Sequence, residues 1–144
     1  MKKFLVLSVC AAFFCVLQGA PVKENGIKWL PDVKSAQKIL GKEKKSILLF
    51  FTAPGWCGPC RALEKGPIAS PEFAAIAKKN AAVKMDYSNR NAVSENARAA
   101  LQKYKIEGFP SLLVLDVNGR EKGRIVGNLP AGSFFAELKK LIEK

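Results

Sequence analysis

Ser46-Ile47-Leu48-Leu49-Phe50-Phe51-Thr52-Ala53-Pro54-Gly55-Trp56-Cys57-Gly58-Pro59-Cys60 is the stretch from which the rest of the chain can be read. Ser46 to Phe51 is a near-continuous apolar run, which predicts a strand buried on both faces, as in a parallel sheet. Pro54 and Gly55 turn the chain, and the two cysteines then open a predicted helix that runs on through Arg61 to Lys65. A cysteine there lies near the unpaired backbone N–H groups of the first turn. Those groups and the helix dipole favour thiolate over thiol. An ordinary cysteine, with pKa about 8.5, is only a few per cent thiolate at neutral pH, so a modest depression makes it reactive. The spacing lets Cys60 reach back on the same turn and close a small ring. Attack, mixed disulfide and resolution then need only these two sulfurs.

Other uses of such a pair fit less well. A zinc site takes four ligands, usually Cys or His. This chain has no histidine, and its other cysteines, Cys10 and Cys15, fall in a leader-like segment. An iron–sulfur cluster fails on the same count. Covalent haem attachment wants a histidine after the second cysteine, and Arg61 stands there. A purely structural disulfide is the serious alternative, but so small a loop supplies only about 2 kcal/mol on the chain-entropy model. No metal or cofactor is expected beyond a redox-active Cys57–Cys60 disulfide.

Working outward, Pro21 to Gly26 reads as an exposed leader and Ile27 to Leu30 as a short edge strand. Asp32 is a good N-cap for a helix whose apolar positions are Val33, Ala36, Ile39 and Leu40. Beyond the cysteines, Gly66-Pro67 breaks the helix and Ser70-Pro71 starts another. Ala82 to Tyr87 reads as a strand, Asn91 to Tyr104 as a helix and Leu112 to Val117 as a strand. Asn118-Gly119 is a hairpin signal that returns Glu121 to Val126 antiparallel. Pro130 restarts a helix with Phe134, Leu138, Leu141 and Ile142 on its inner side. Helices between strands imply parallel crossovers, and the last hairpin adds antiparallel strands. The fold class is therefore α/β, a central mixed sheet with helices on both faces.

The chain has 144 residues, room for one domain, and 49% are hydrophobic, which supports a real core. Its first twenty residues read differently. Lys2 and Lys3 precede an apolar run from Phe4 to Leu17, followed by Gln18-Gly19-Ala20, the order of a secretory signal. The run is shorter than the roughly 18–20 residues that span a bilayer. Residues 1–20 are read as a signal peptide and 21–144 as the domain, which is expected to be exported to the periplasm or a similar extracytoplasmic space. Gln18 is a poor residue three positions before a cut after Ala20, so an uncleaved membrane anchor is the alternative; a buried N-terminal helix would show a polar face. Removal of the segment lowers the net charge of +12 by two. The remaining lysines are spread over many segments, including Lys34, Lys38, Lys78, Lys79, Lys139 and Lys140, with no aromatic-interleaved basic stripe. A solvated surface is expected, not a nucleic-acid interface.

Trp56-Cys57-Gly58-Pro59-Cys60 is identical to the active-site motif of thioredoxins, and the order of elements from Ile27 to Lys144 resembles the thioredoxin fold. Phe109-Pro110 matches the family's cis-proline position, and Gly127 its glycine near the substrate groove. Phe51-Thr52-Ala53 and Ser70-Pro71-Glu72-Phe73 carry a closer likeness to exported thioredoxin-like proteins, among them the C-terminal domain of transmembrane thiol:disulfide interchange proteins. The resemblance implies that Cys57 attacks and Cys60 resolves. It implies an apolar rim of Trp56, Phe109 and Pro110 where substrate docks, with Gly58, Pro59 and Gly127 beside it. Gly58-Pro59 resembles the reducing members.

There are two departures from the family. One extra residue lies in Thr52-Ala53-Pro54-Gly55, and Phe50 stands where thioredoxins keep a buried acid that helps deprotonate the resolving cysteine. Glu64, one helical turn after Cys60, is the candidate replacement, and the matching position of the interchange-protein domain also carries an acid. Lys84, which matches a thioredoxin lysine, is the second candidate. The plainer reading of Glu64 is a solvated helix glutamate paired with a nearby lysine. The expected activity is reduction of disulfides in exported proteins by a monomer that draws electrons from a membrane donor. A dedicated electron relay for cytochrome maturation or metal delivery, and a non-redox chaperone or binding module, are the alternatives.

Overall fold

A computed structural model describes residues 20–40 and 46–144; the expected signal segment, apart from Ala20, lies outside the described residues. In chain order the elements are β1 (Val22–Glu24), β2 (Ile27–Leu30), α1 (Val33–Ile39), β3 (Ile47–Thr52), α2 (Gly58–Lys65) and α3 (Pro71–Lys79). They continue with β4 (Ala81–Asp86), α4 (Glu95–Lys103), β5 (Ser111–Leu115), β6 (Glu121–Val126) and α5 (Ala131–Glu143). The strands form one sheet in the order β1-β2-β4-β3-β5-β6. β2, β4 and β3 run parallel, and β5 pairs antiparallel with β3 and β6. This is the mixed sheet the sequence predicts.

The apolar run becomes the centre of the molecule. Every residue of β3 is buried, because alternate side chains feed two separate cores. Ile47, Leu49 and Phe51 pack with Val83, Met85, Leu113, Ala97 and Tyr104 under α1 and α4. Leu48 and Phe50 pack on the other face with Leu112 of β5 and with Phe73, Phe134 and Leu138 of α3 and α5. Helix starts follow the predicted caps: the Asp32 carboxylate accepts from the Ser35 N–H at 2.6 Å, and the Ser70 hydroxyl from the Phe73 N–H at 3.2 Å.

The main departures from expectation are at residues 21–26 and at the start of α4. Residues 21–26 are not a leader: β1 pairs antiparallel with β2, Val22 opposite Trp29, which makes β1 the edge strand in place of β2. Asn25 and Gly26, with φ of +50° and +75°, make the tight turn. α2 begins at Gly58 with Cys57 itself as its cap, at the point where the two cysteines are expected to open a helix. α4 begins at Glu95, not Asn91, because the Ser94 hydroxyl accepts from the Ala97 N–H and restarts the chain after a single 3₁₀ turn at Arg90–Ala92.

Candidate active site

Cys57 sits where β3 hands over to α2, and the handover is pinned by its own backbone. The Ala53 carbonyl accepts from the N–H groups of Trp56 (3.1 Å) and Cys57 (2.9 Å). In the turn of this loop the Gly55 N–H donates to Ser88 Oγ at 2.8 Å. Arg61 reaches back from α2 to the Pro54 carbonyl at 2.7 Å.

Cys57 and Cys60 form a disulfide, with Cα atoms 5.3 Å apart. The Cys60 backbone N–H donates to Cys57 Sγ at 3.2 Å, so the sulfur occupies the N-cap position. That donor and the helix N-terminus favour negative charge on Cys57 once the pair is reduced. Cys57 keeps 7% of its surface and Cys60 none. Of the pair, Cys57 alone keeps any contact with solvent.

The predicted rim residues come together. The Phe109–Pro110 peptide is cis, and the Phe109 carbonyl oxygen lies 3.8 Å from Cys57 Sγ. Gly127, at φ +83°, donates its N–H to the Pro110 carbonyl at 2.8 Å. Trp56 is 43% exposed. Its indole N–H donates to the Tyr87 carbonyl at 3.0 Å, and its ring meets Phe109 edge-on at 5.7 Å. Gly58 and Pro59 form the first turn of α2 beside them.

Glu64 and Lys84, two separate candidates for proton handling, are bonded to each other at 3.1 Å. Glu64 also accepts from the Thr52 hydroxyl at 2.5 Å, and Lys84 from β4 also binds Glu24 of β1 at 3.0 Å. Glu64 is 14% exposed, so it is not a solvated surface glutamate, although the expected lysine partner is there. Burial works to lower the Lys84 pKa, but the bonds and charges of Glu24 and Glu64 outweigh it and raise the pKa above the usual lysine value. In this oxidised state neither group is hydrogen-bonded to Cys60 among the described residues; both lie on the Phe50 side of the sheet, where β3 pairs Phe50 with Lys84. Sequence reasoning missed Thr52 and Glu24, and it missed Arg90, whose guanidinium stacks 4.4 Å above the centre of the Trp56 ring. No local pattern marks any of the three. Among the described residues there is no cluster of acids, cysteines or histidines suited to a metal.

The family model for a thioredoxin-like domain matches residues 33–142. The chain belongs to the thioredoxin-like family. Within it, the chain is 29% identical over 120 residues to the disulfide bond reductase DsbH of Chlamydia pneumoniae, covering 80% of this chain and 71% of that protein. It is 33% identical over 96 residues to the thiol:disulfide interchange protein DsbD 2 of Pseudomonas aeruginosa, covering 65% of this chain but only 16% of that much longer protein. Among solved structures, a DsbH oxidoreductase superposes with a TM-score of 0.71 at 24% identity, over 89% of this chain and 92% of the other. The C-terminal domain of Neisseria meningitidis DsbD in its reduced form gives 0.59 at 20% identity, over 75% and 89%. With this membership and its Cys57–Cys60 pair, the thioredoxin-like chain is a thiol–disulfide oxidoreductase.

Proposed function

We propose that the chain is an exported reductant of protein disulfides. The observation that carries this reading is the asymmetry of the pair: Cys57 caps a helix N-terminus and keeps a little solvent exposure, while Cys60 is fully buried behind it. The Cys57 thiolate attacks a substrate disulfide, forming a mixed disulfide and releasing one substrate thiolate. Cys60 then gives up its proton and attacks Cys57 Sγ. The second substrate thiolate leaves, and the protein ends with its own disulfide. Two electrons pass to the substrate, and an outside dithiol must return them. The likeness to interchange proteins points to a membrane partner of that kind.

Glu64 is the proposed acceptor of the Cys60 proton, since Phe50 cannot take one. Lys84 holds Glu64 in place and offsets its charge. Trp56, Phe109, Pro110 and Gly127 are the proposed docking rim. Export rests on the positive start and apolar run of residues 1–20, and the reducing direction on Gly58-Pro59 and the relative named as a reductase.

Equilibration against a dithiothreitol redox buffer, read by the fluorescence of Trp56, tests the direction. The expected potential is near the −270 mV or so of thioredoxin, with efficient cleavage of insulin disulfides by the reduced protein. A potential near about −120 mV, that of strong oxidants, would reverse the assignment. Export is checked separately, by an intact mass from the native host that begins near Pro21.

A further inference from the structure

Next to the reacting sulfur the surface is hollowed into a cavity of about 260 Å³. Its apolar lining is Trp56, Tyr87, Phe109, Val93 and Leu101. The walls are held from behind. Trp56 is fixed by its bond to the Tyr87 carbonyl, and the Tyr87 hydroxyl donates to the Ala97 carbonyl at 2.7 Å. The Tyr87 and Phe109 rings lie 5.1 Å apart. The interior is apolar and wide enough for a leucine or phenylalanine side chain.

The mouth is charged. Arg90 stacks on the Trp56 ring, and Arg98 of α4 also lines the cavity. Both side chains are exposed, and neither forms an ion pair with a carboxylate among the described residues. An apolar cavity lined by two exposed arginines without ion-pair partners among the described residues suits a ligand with a greasy side chain and a neighbouring carboxylate. Position supplies the rest. Phe109 is both a cavity wall and the residue whose carbonyl lies 3.8 Å from Cys57 Sγ. An extended peptide advances about 3.3 Å per residue, so a peptide whose cysteine meets Cys57 reaches the cavity one or two residues along.

We propose that this cavity selects substrate: it receives an extended segment of a disulfide-bonded protein that carries a large apolar side chain one or two residues from the cysteine, with Asp or Glu beside it. The inference rests on the Cys57–Cys60 redox reading and adds a sequence preference to it.

The test uses symmetrical disulfide dimers of three short peptides, the cysteine flanked by Leu and Glu, by Leu and Lys, or by Ser and Glu. Oxidation of the reduced protein is followed by tryptophan fluorescence. The Leu/Glu peptide is expected to react about tenfold faster than Leu/Lys at low salt and several-fold faster than Ser/Glu. The charge preference shrinks to about twofold in 0.5 M salt, as screening shortens the reach of the arginines. Arg90→Gln with Arg98→Gln should abolish the Glu-over-Lys preference. Lys78→Gln with Lys79→Gln, the same charge change in the last turn of α3, should keep most of it. Equal rates for the three peptides, or equal loss of preference in both double variants, would overturn the cavity's role while leaving the redox reading intact. Failure of the wild-type protein to react with any peptide or with 2-hydroxyethyl disulfide would overturn the redox reading and the cavity with it.

Discussion

Replacing Glu64 by glutamine tests the proton path and the architecture at once, and the two effects separate. Glu64 accepts from Thr52 at 2.5 Å and from Lys84 at 3.1 Å, with little of its side chain in water. Hydrogen bonds to a charged group are worth about 1.5–3 kcal/mol and neutral ones about 0.5–1.5. An amide can still accept from Lys84 with its oxygen and donate its N–H to the Thr52 hydroxyl, but it loses the charge, a loss of about 1 kcal/mol on each contact. Lys84 retains Glu24, which limits the damage. A total near 2 kcal/mol corresponds to a melting temperature lower by roughly 6–10 °C for a domain of this size. The kinetic effect is larger. A positioned general base contributes about 10²–10⁴-fold, so resolution of a mixed disulfide should slow by about 10²-fold near neutral pH while attack by Cys57 is nearly unchanged. As pH rises, hydroxide replaces the lost base and the defect shrinks. The assay is a single turnover with a peptide disulfide, quenched in acid and counted by mass spectrometry as free, mixed and intramolecular species. Thr52→Val is the control: it takes one donor from Glu64 and lowers stability, but it leaves the carboxylate and should leave resolution fast. Resolution rates in Glu64→Gln equal to wild type from pH 6 to 9 would remove Glu64 from the mechanism and leave Lys84 or water.

Three further outcomes follow from the same geometry. Cys60→Ser should accumulate mixed disulfides with substrate proteins and Cys57→Ser almost none, as judged on non-reducing gels; equal trapping would show that the exposure difference between the two sulfurs does not set their roles. Gly127→Ala should cost about 1–2 kcal/mol in urea unfolding, because φ is +83° there and an added Cβ strains the backbone without touching anything; Gly108→Ala, equally uncrowded and without positive φ, should cost far less. The raised Lys84 pKa means that its contribution to stability is complete below the unfolded value of about 10.5 and fades as pH climbs through the higher folded value. The stability difference between wild type and Lys84→Met should accordingly hold constant through neutral pH and narrow only above pH 10.5; narrowing between pH 6 and 8 would contradict the assignment.

Features set by near neighbours in the chain were legible without coordinates. The uniform apolar run of β3, the caps at Asp32 and Ser70, and the Cys57–Cys60 spacing each encode their structure locally, because periodicity, capping and ring closure involve residues a few positions apart. The β1–β2 hairpin belonged to this class as well. Asn25-Gly26 signals it as plainly as Asn118-Gly119 signals the β5–β6 turn, and reading the segment as a leader passed over it. The start of α4 was missed because the apolar spacing runs on through Val93, while the decision lay with one hydroxyl at Ser94. The contacts that surround the redox pair are of another kind. Glu24, Glu64 and Lys84 come from β1, α2 and β4 and meet only because the sheet sets β2 beside β4 and β4 beside β3. The Gly127 N–H finds the Pro110 carbonyl through the register of β5 on β6. Arg90 finds Trp56 across the end of the sheet. Sequence by itself determined which elements form and which two sulfurs react, since those depend on neighbours along the chain. Tertiary structure alone decided which charges meet around Lys84 and which arginine stacks on Trp56, because strand order and register bring together residues that no local pattern links.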